Sequence, residues 1–123
     1  MSDAAAISVA RIMVKPVVIA SPSKSVAAAR RVMREWGIRH LPVLDEEKLL
    51  VGIVSERDLR DAREVAPLSE LMRSPVHVLS PDMPLLQAIR VFRRRRVGAM
   101  PVLEGRELVG IVSVVDVLSA LSA

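Results

Sequence analysis

The sequence predicts an α/β protein made of two β-α-β-β-α repeats packed about a pseudo-twofold axis. Three observations carry this. A set of short motifs occurs twice at a near-constant spacing. Each copy lays out its apolar runs and turn residues in the same order. The chain is 51% hydrophobic but only 2% aromatic, with Trp36 and Phe92 its large rings, so its core must be aliphatic.

Internal duplication decides how the remaining residues are read. Arg11-Ile12-Met13-Val14-Lys15-Pro16 resembles Glu70-Leu71-Met72-Arg73-Ser74-Pro75. At the same offset Pro22 matches Pro81, and Leu41-Pro42-Val43-Leu44 matches Met100-Pro101-Val102-Leu103. The offset then shortens by one residue in the turn Asp45-Glu46-Glu47-Lys48, against Glu104-Gly105-Arg106. After it, Gly52-Ile53-Val54-Ser55 matches Gly110-Ile111-Val112-Ser113, and Asp58 matches Asp116. Two copies are too few for a solenoid. They imply two units packed face to face, because each alone is too small to hide its apolar surface.

Each repeat reads in the same order. A short helical turn ends near Met13 or Met72. Val17-Val18-Ile19 and Val76-His77-Val78-Leu79 are β-branched runs bounded by prolines, which predicts strands. A helix follows. In the first copy Ser23 or Ser25 caps it, and Val26, Ala29, Val32, Met33 and Trp36 form its apolar face. In the second, Asp82 caps, Pro84 suits the first turn, and Leu85, Ala88, Ile89 and Phe92 form the stripe. Gly37 and Gly98 are placed to absorb a left-handed backbone after the helices. Two strands come next, Leu41 to Leu44 with Leu49 to Val54, and Met100 to Leu103 with Leu108 to Val112. Glu104-Gly105 is a hairpin signal. A last helix starts at Ser55 or Ser113, both good N-caps. These readings place the first repeat at 8–60, a charged linker at 61–67 and the second repeat at 68–121.

Composition removes several functions. The chain has no Cys, which excludes disulfides and thiolate metal sites, and His40 and His77 lack metal-motif spacing. No metal or required cofactor is expected. Met1 to Ala6 carries Asp3, no basic run and no following apolar region, and no stretch approaches a membrane span. A cytoplasmic protein without a membrane partner is the expectation. There is no Gly-x-Ser-x-Gly elbow, phosphate loop or G-x-G-x-x-G motif. His40, Ser55 and Asp58 would be the one base, nucleophile and carboxylate set, but nothing in the sequence fixes their geometry and the second copy has no His, so an enzyme is not expected.

What remains is Gly-Ile-Val-Ser-x-x-Asp, present at Gly52 to Asp58 and again at Gly110 to Asp116. A strand delivers a Ser to a helix start, and an Asp follows one turn later. Backbone N–H groups there attract anions. The Ser hydroxyl can bond a phosphate or ribose oxygen, and the carboxylate can accept from two ribose hydroxyls. The plain alternative is a capped helix start, with Ser as the cap and Asp near the positive end.

The paired pattern resembles a tandem pair of CBS domains (cystathionine-β-synthase domains), also called a Bateman module. Ile38-Arg39-His40-Leu41-Pro42-Val43 with Gly52-Ile53-Val54-Ser55-Glu56-Arg57-Asp58 carries the likeness in the first copy. Val97-Gly98-Ala99-Met100-Pro101-Val102 with Gly110-Ile111-Val112-Ser113-Val114-Val115-Asp116 carries it in the second. The resemblance implies CBS-type repeats and two clefts for an adenosyl ligand: AMP, ADP, ATP, S-adenosylmethionine or NAD. One cleft would use Lys15, Val17 and Ala20 with Gly98, Ser113 and Asp116. The other would use Ser74, Val76 and Leu79 with Arg39, His40, Ser55, Arg57 and Asp58. Asp would hold ribose, Ser and basic residues phosphate, and aliphatic side chains adenine. Gly98, Ala99 and Val115 stand where Arg39, His40 and Arg57 stand in the first copy. The Asp58 cleft is therefore expected to favour a phosphorylated ligand. The Asp116 cleft is expected to be empty or to take an uncharged adenosine-like group.

The resemblance also implies a homodimer, with apolar faces around Val117, Leu118 and Leu121 compatible with it, and a nucleotide-regulated module that signals to an effector protein by domain or dimer rearrangement. The alternative is an interaction or dimerisation scaffold that binds no nucleotide. The run Arg93 to Arg96 reads first as a solvated helix C-terminus. Its other readings are a nucleotide phosphate contact through Arg95 or Arg96, and nucleic-acid contact. Scattered acidic residues and missing aromatics argue against nucleic acid.

Overall fold

The computed structural model describes residues 6–122, so the reading of residues 1–5 lies outside it. The chain forms two compact units. One is Val18–Val76; the other joins Met1–Val17 to His77–Ala123. They are called here the Asp58 unit and the Asp116 unit.

The elements in chain order are α1 (Val9–Ile12), α2 (Val26–Trp36), β1 (His40–Leu44), β2 (Leu50–Ser55), α3 (Glu56–Leu59), a 3-10 turn (Leu68–Glu70), α4 (Leu85–Arg95), β3 (Ala99–Glu104), β4 (Glu107–Ser113) and α5 (Val114–Ser122). The Asp58 unit holds the antiparallel pair β1–β2, and the Asp116 unit holds β3–β4. Both pairs carry a register shift at the same place, between Val43 and Leu44 and between Val102 and Leu103. The α/β repeat architecture is as the sequence predicts.

The predicted first strands are reduced to one bridging residue each. Ala20 bridges Val43 and Leu79 bridges Val102, both in parallel sense. Ala20 N–H donates to the Pro42 carbonyl at 3.0 Å, and Leu44 N–H donates to the Ala20 carbonyl at 2.9 Å. Pro16 and Pro22, like Pro75 and Pro81, bracket the run, and proline supplies no N–H for a longer ladder.

Each unit also gains an antiparallel bridge from a segment distant in sequence. Arg73 and Ile53 exchange backbone hydrogen bonds of 2.9 and 3.2 Å. Val14 and Ile111 do the same at 2.8 and 3.1 Å. The lead-in to each sequence repeat is thus built into the unit that carries the other repeat's hairpin. Residues expected as linker are likewise bonded in: Val26 N–H donates to the Ala66 carbonyl and Ala27 N–H to the Glu64 carbonyl. The close approach has a sequence cause. A Cβ on Gly52 would stand 2.5 Å from the Met72 sulfur, and one on Gly110 would stand 2.5 Å from the Met13 sulfur.

The cores are aliphatic apart from Phe92, which is buried in the Asp116 unit. Val26, Ala29, Leu41, Val43, Val54, Leu59 and Leu68 are fully buried in the Asp58 unit. Val9, Leu79, Leu85, Ala88, Met100, Val102 and Val112 form the counterpart. Trp36 does not complete the α2 stripe: it is 64% exposed. The buried stripe ends at Met33, and Gly37 turns the chain just after Trp36 with φ of 64°. Ser25 caps α2 by accepting from Ala28 N–H. Pro84 occupies the N-cap of α4, not its first helical position, so Asp82 lies too early to cap and accepts from Ser80 instead. The left-handed residue after α4 is Arg96, with φ of 54°, not Gly98.

Candidate functional site

The site in each unit is the corner where the second hairpin strand runs into a helix. Register puts His40 opposite Ser55 and Ala99 opposite Ser113. The carbonyl before the first hairpin strand closes the corner. Glu56 N–H donates to the Arg39 carbonyl at 2.8 Å, and Val114 N–H to the Gly98 carbonyl at 2.9 Å. Arg39 and Gly98 therefore lie at the two corners.

Both corners carry a reciprocal cap. Asp58 N–H donates to Ser55 Oγ at 3.2 Å, and Ser55 N–H donates to Asp58 Oδ2 at 2.9 Å. Asp116 N–H donates to Ser113 Oγ at 3.1 Å, and Ser113 N–H donates to Asp116 Oδ2 at 2.8 Å. The same Oδ2 accepts from Ser113 Oγ at 2.9 Å. These bonds fix each carboxylate by one edge, as a capping box does. The helix behind Asp58 is one turn long, so its dipole adds little there.

Arg73 pairs with Asp58, a contact the sequence does not single out. Its Nε and Nη2 donate to Asp58 Oδ1 at 3.0 and 2.8 Å. Burial raises the Asp58 pKa, but the hydrogen bonds from Arg73 and Ser55, with the Arg73 charge, outweigh it and hold the carboxyl below its ordinary value. A signal was present in the duplication, where Arg73 stands against Val14.

The predicted cations of the Asp58 corner are weaker than their residue types imply. Burial, and secondarily the Arg39 charge, pull the His40 pKa down against the opposing effect of Asp58. Its ordinary value is 6.5, so His40 is a neutral hydrogen-bonding ring at pH 7, not a cation. Arg39 Nε lies 3.6 Å from Glu56 Oε2, with both side chains exposed. Arg57 is exposed on α3.

Of the residues assigned to the Asp58 cleft, the Asp58 unit contains Arg39, His40, Ser55, Arg57, Asp58, Ser74 and Val76, while Leu79 belongs to the Asp116 unit. Of those assigned to the other cleft, the Asp116 unit contains Lys15, Val17, Gly98, Ser113 and Asp116, while Ala20 belongs to the Asp58 unit. Arg93 to Arg96 are exposed at the end of α4. Among the described residues no three His, Cys, Asp or Glu side chains gather to hold a metal, and no helix is long and apolar enough to cross a membrane.

The chain is thus a tandem pair of hairpin-and-helix units, each with Ser-x-x-Asp at its strand-to-helix corner. The CBS domain family matches the chain twice, over residues 9–65 and 68–123, and the chain belongs to that family as a tandem pair. An uncharacterized 33.4 kDa protein encoded in a ribosomal RNA operon of Thermofilum pendens is 42% identical over 95 residues, covering 74% of this chain and 32% of that protein. The chain spans about a third or less of the length of the curated relatives it matches. The CBS domain pair of protein MJ0100, solved with 5′-methylthioadenosine and S-adenosyl-L-methionine, is 27% identical with a TM-score of 0.89, covering 94% of this chain and 96% of that one. The protein CBSX2, solved with AMP, is 25% identical with a TM-score of 0.83, again covering 94% and 96%.

Proposed function

We propose that this CBS pair is a regulatory module that binds an adenosyl ligand and signals to an effector protein, with no catalytic step of its own. One observation carries the reading. Each unit presents a Ser and an Asp, rigidly capped against each other, at a part-buried strand-to-helix corner. A carboxylate held by one edge can offer its other edge to a ribose diol. The adenosyl ligands of MJ0100 and CBSX2 support this choice of ligand class. Asp58 and Asp116 hold ribose, and the main-chain and aliphatic groups of Val17 and Val76 are the adenine-facing candidates. Arg39, Arg57 and Arg73 make the Asp58 unit the one suited to a phosphorylated ligand. Lys15 is the basic candidate for the Asp116 site within its own unit.

The α5 surface favours a homodimer. Val115, Leu118 and Leu121 are 69%, 57% and 46% exposed, whereas Val117 is buried in its own unit and takes no part. A scaffold that dimerises without a ligand would use this same face.

Thermal unfolding with adenosine, AMP, ATP, S-adenosylmethionine and NAD tests the reading. A ligand present at 100 times its Kd, binding only the folded chain, adds about 2.7 kcal/mol. No stabilisation by any of the five overturns ligand binding in favour of the scaffold.

A further inference from the structure

The two carboxylates differ in how much of each is already used. An ionised carboxylate has about four acceptor positions, two on each oxygen. At Asp116, both bonds from the Ser113 side chain and backbone fall on Oδ2. Oδ1 has no partner among the described residues and keeps both positions for a diol. At Asp58, Oδ1 takes two bonds from Arg73 and Oδ2 takes one from Ser55. One position is left, where a diol needs two. Arg73 also covers the group: the Asp58 side chain is 10% exposed, whereas Arg73 itself is 64% exposed.

We propose that Arg73 is a specificity lock on the Asp58 site, closing it to uncharged adenosyl ligands and opening it to those that carry their own negative charge. The proposal rests on the adenosyl reading above. An uncharged ligand that displaces Arg73 exchanges a charge-assisted pair for neutral hydroxyl donors and leaves the guanidinium without a partner. A phosphate or carboxylate on the ligand supplies that partner, in the planar geometry a guanidinium suits. In the Asp116 unit Val14 occupies the matching place, bridging Ile111 as Arg73 bridges Ile53. That site has no lock and takes uncharged adenosyl groups directly.

Calorimetric titration of adenosine and AMP tests this on the full chain. Asp116→Ala leaves the Asp58 site to bind, and Arg73→Val is then added. The expected result is a tenfold or greater gain in adenosine affinity with AMP unchanged or weaker. In the converse chain, Asp58→Ala with Val14→Arg, adenosine affinity at the Asp116 site falls tenfold or more. Arg73 and Val14 are both exposed, so neither change removes core packing. Arg73→Gln, which keeps a polar hydrogen-bonding side chain and loses the charge, should behave as Arg73→Val. If adenosine binds and neither Arg73 substitution changes its affinity, the lock is overturned and the adenosyl reading stands. If neither adenosine nor AMP binds any of these chains or the parent, the lock is overturned, and the adenosyl reading falls with it if ATP, S-adenosylmethionine and NAD also fail to bind.

Discussion

In the Asp58 unit the residue that bridges Ile53 is an arginine; in the Asp116 unit the residue that bridges Ile111 is a valine. The backbones around these positions are alike. Each unit has the same hairpin register at its corner, the same shift in that register, and the same glycine pressed against a methionine. The side chains that face the corner are not alike: Arg39, His40 and Arg73 in one, Gly98, Ala99 and Val14 in the other. The duplication thus preserves the frame that positions an aspartate and changes the charge around it. On the lock proposed for Arg73, one frame serves two ligands of different charge.

The shared frame is the place to press hardest. Gly52→Ala and Gly110→Ala should each destabilise the chain by about 1–3 kcal/mol, the usual cost of forcing extra volume into a packed contact. The new methyl meets the Met72 or Met13 side chain as far back as its Cβ, at 2.9 or 3.0 Å, so rotating the thioether alone does not make room. Urea unfolding measures the loss. Similar losses at both positions support equivalent frames. A loss at one position alone would break the comparison.

A smaller difference lies where the units end their longer helices. Gly37 and Arg96 both adopt a left-handed backbone, with φ of 64° and 54°. Only glycine does so without a steric penalty from Cβ. Arg96→Gly should therefore stabilise the Asp116 unit, by about 0.5–1 kcal/mol, after the greater freedom that glycine has in the unfolded chain is deducted. Gly37→Ala should cost about 1 kcal/mol, since a Cβ there meets nothing and the backbone alone objects. Thermal melts of the two variants should shift in opposite directions.

Much of this was legible because it is local. The repeat, the Ser caps and the Ser-x-x-Asp corner are set by residues a few positions apart. Trp36 keeps the helical periodicity but is the last residue of α2, one turn beyond the buried Met33, and its ring is exposed. The first strands were overextended because β-branched composition was read without counting the N–H groups that proline removes. Arg73 was missed for a different reason. Its partner Asp58 lies on the preceding repeat, and only the exchange of lead-in segments between hairpins brings the guanidinium there. Alignment of the copies showed Arg73 against Val14, but not which aspartate it would meet.

The smallest expected effect is the dependence of stability on pH, and it too separates the units. His40 sits at a position that is Ala99 in the other copy, so its titration belongs to the Asp58 unit alone. Its pKa is lowered on folding, mainly by burial, which means the unfolded chain binds the proton more readily. Stability from the neutral ring is complete above about pH 6.5 and is lost as pH falls through the lower folded value. Asp58 works in a separate window: its folded pKa lies below 3.8, so its contribution persists above that value and fades only in stronger acid. Urea unfolding between pH 7 and 5 should show a decline in the parent chain that His40→Gln flattens, with the loss below pH 4 unchanged. A decline that survives His40→Gln would mean that the corner histidine is not what couples this unit to pH.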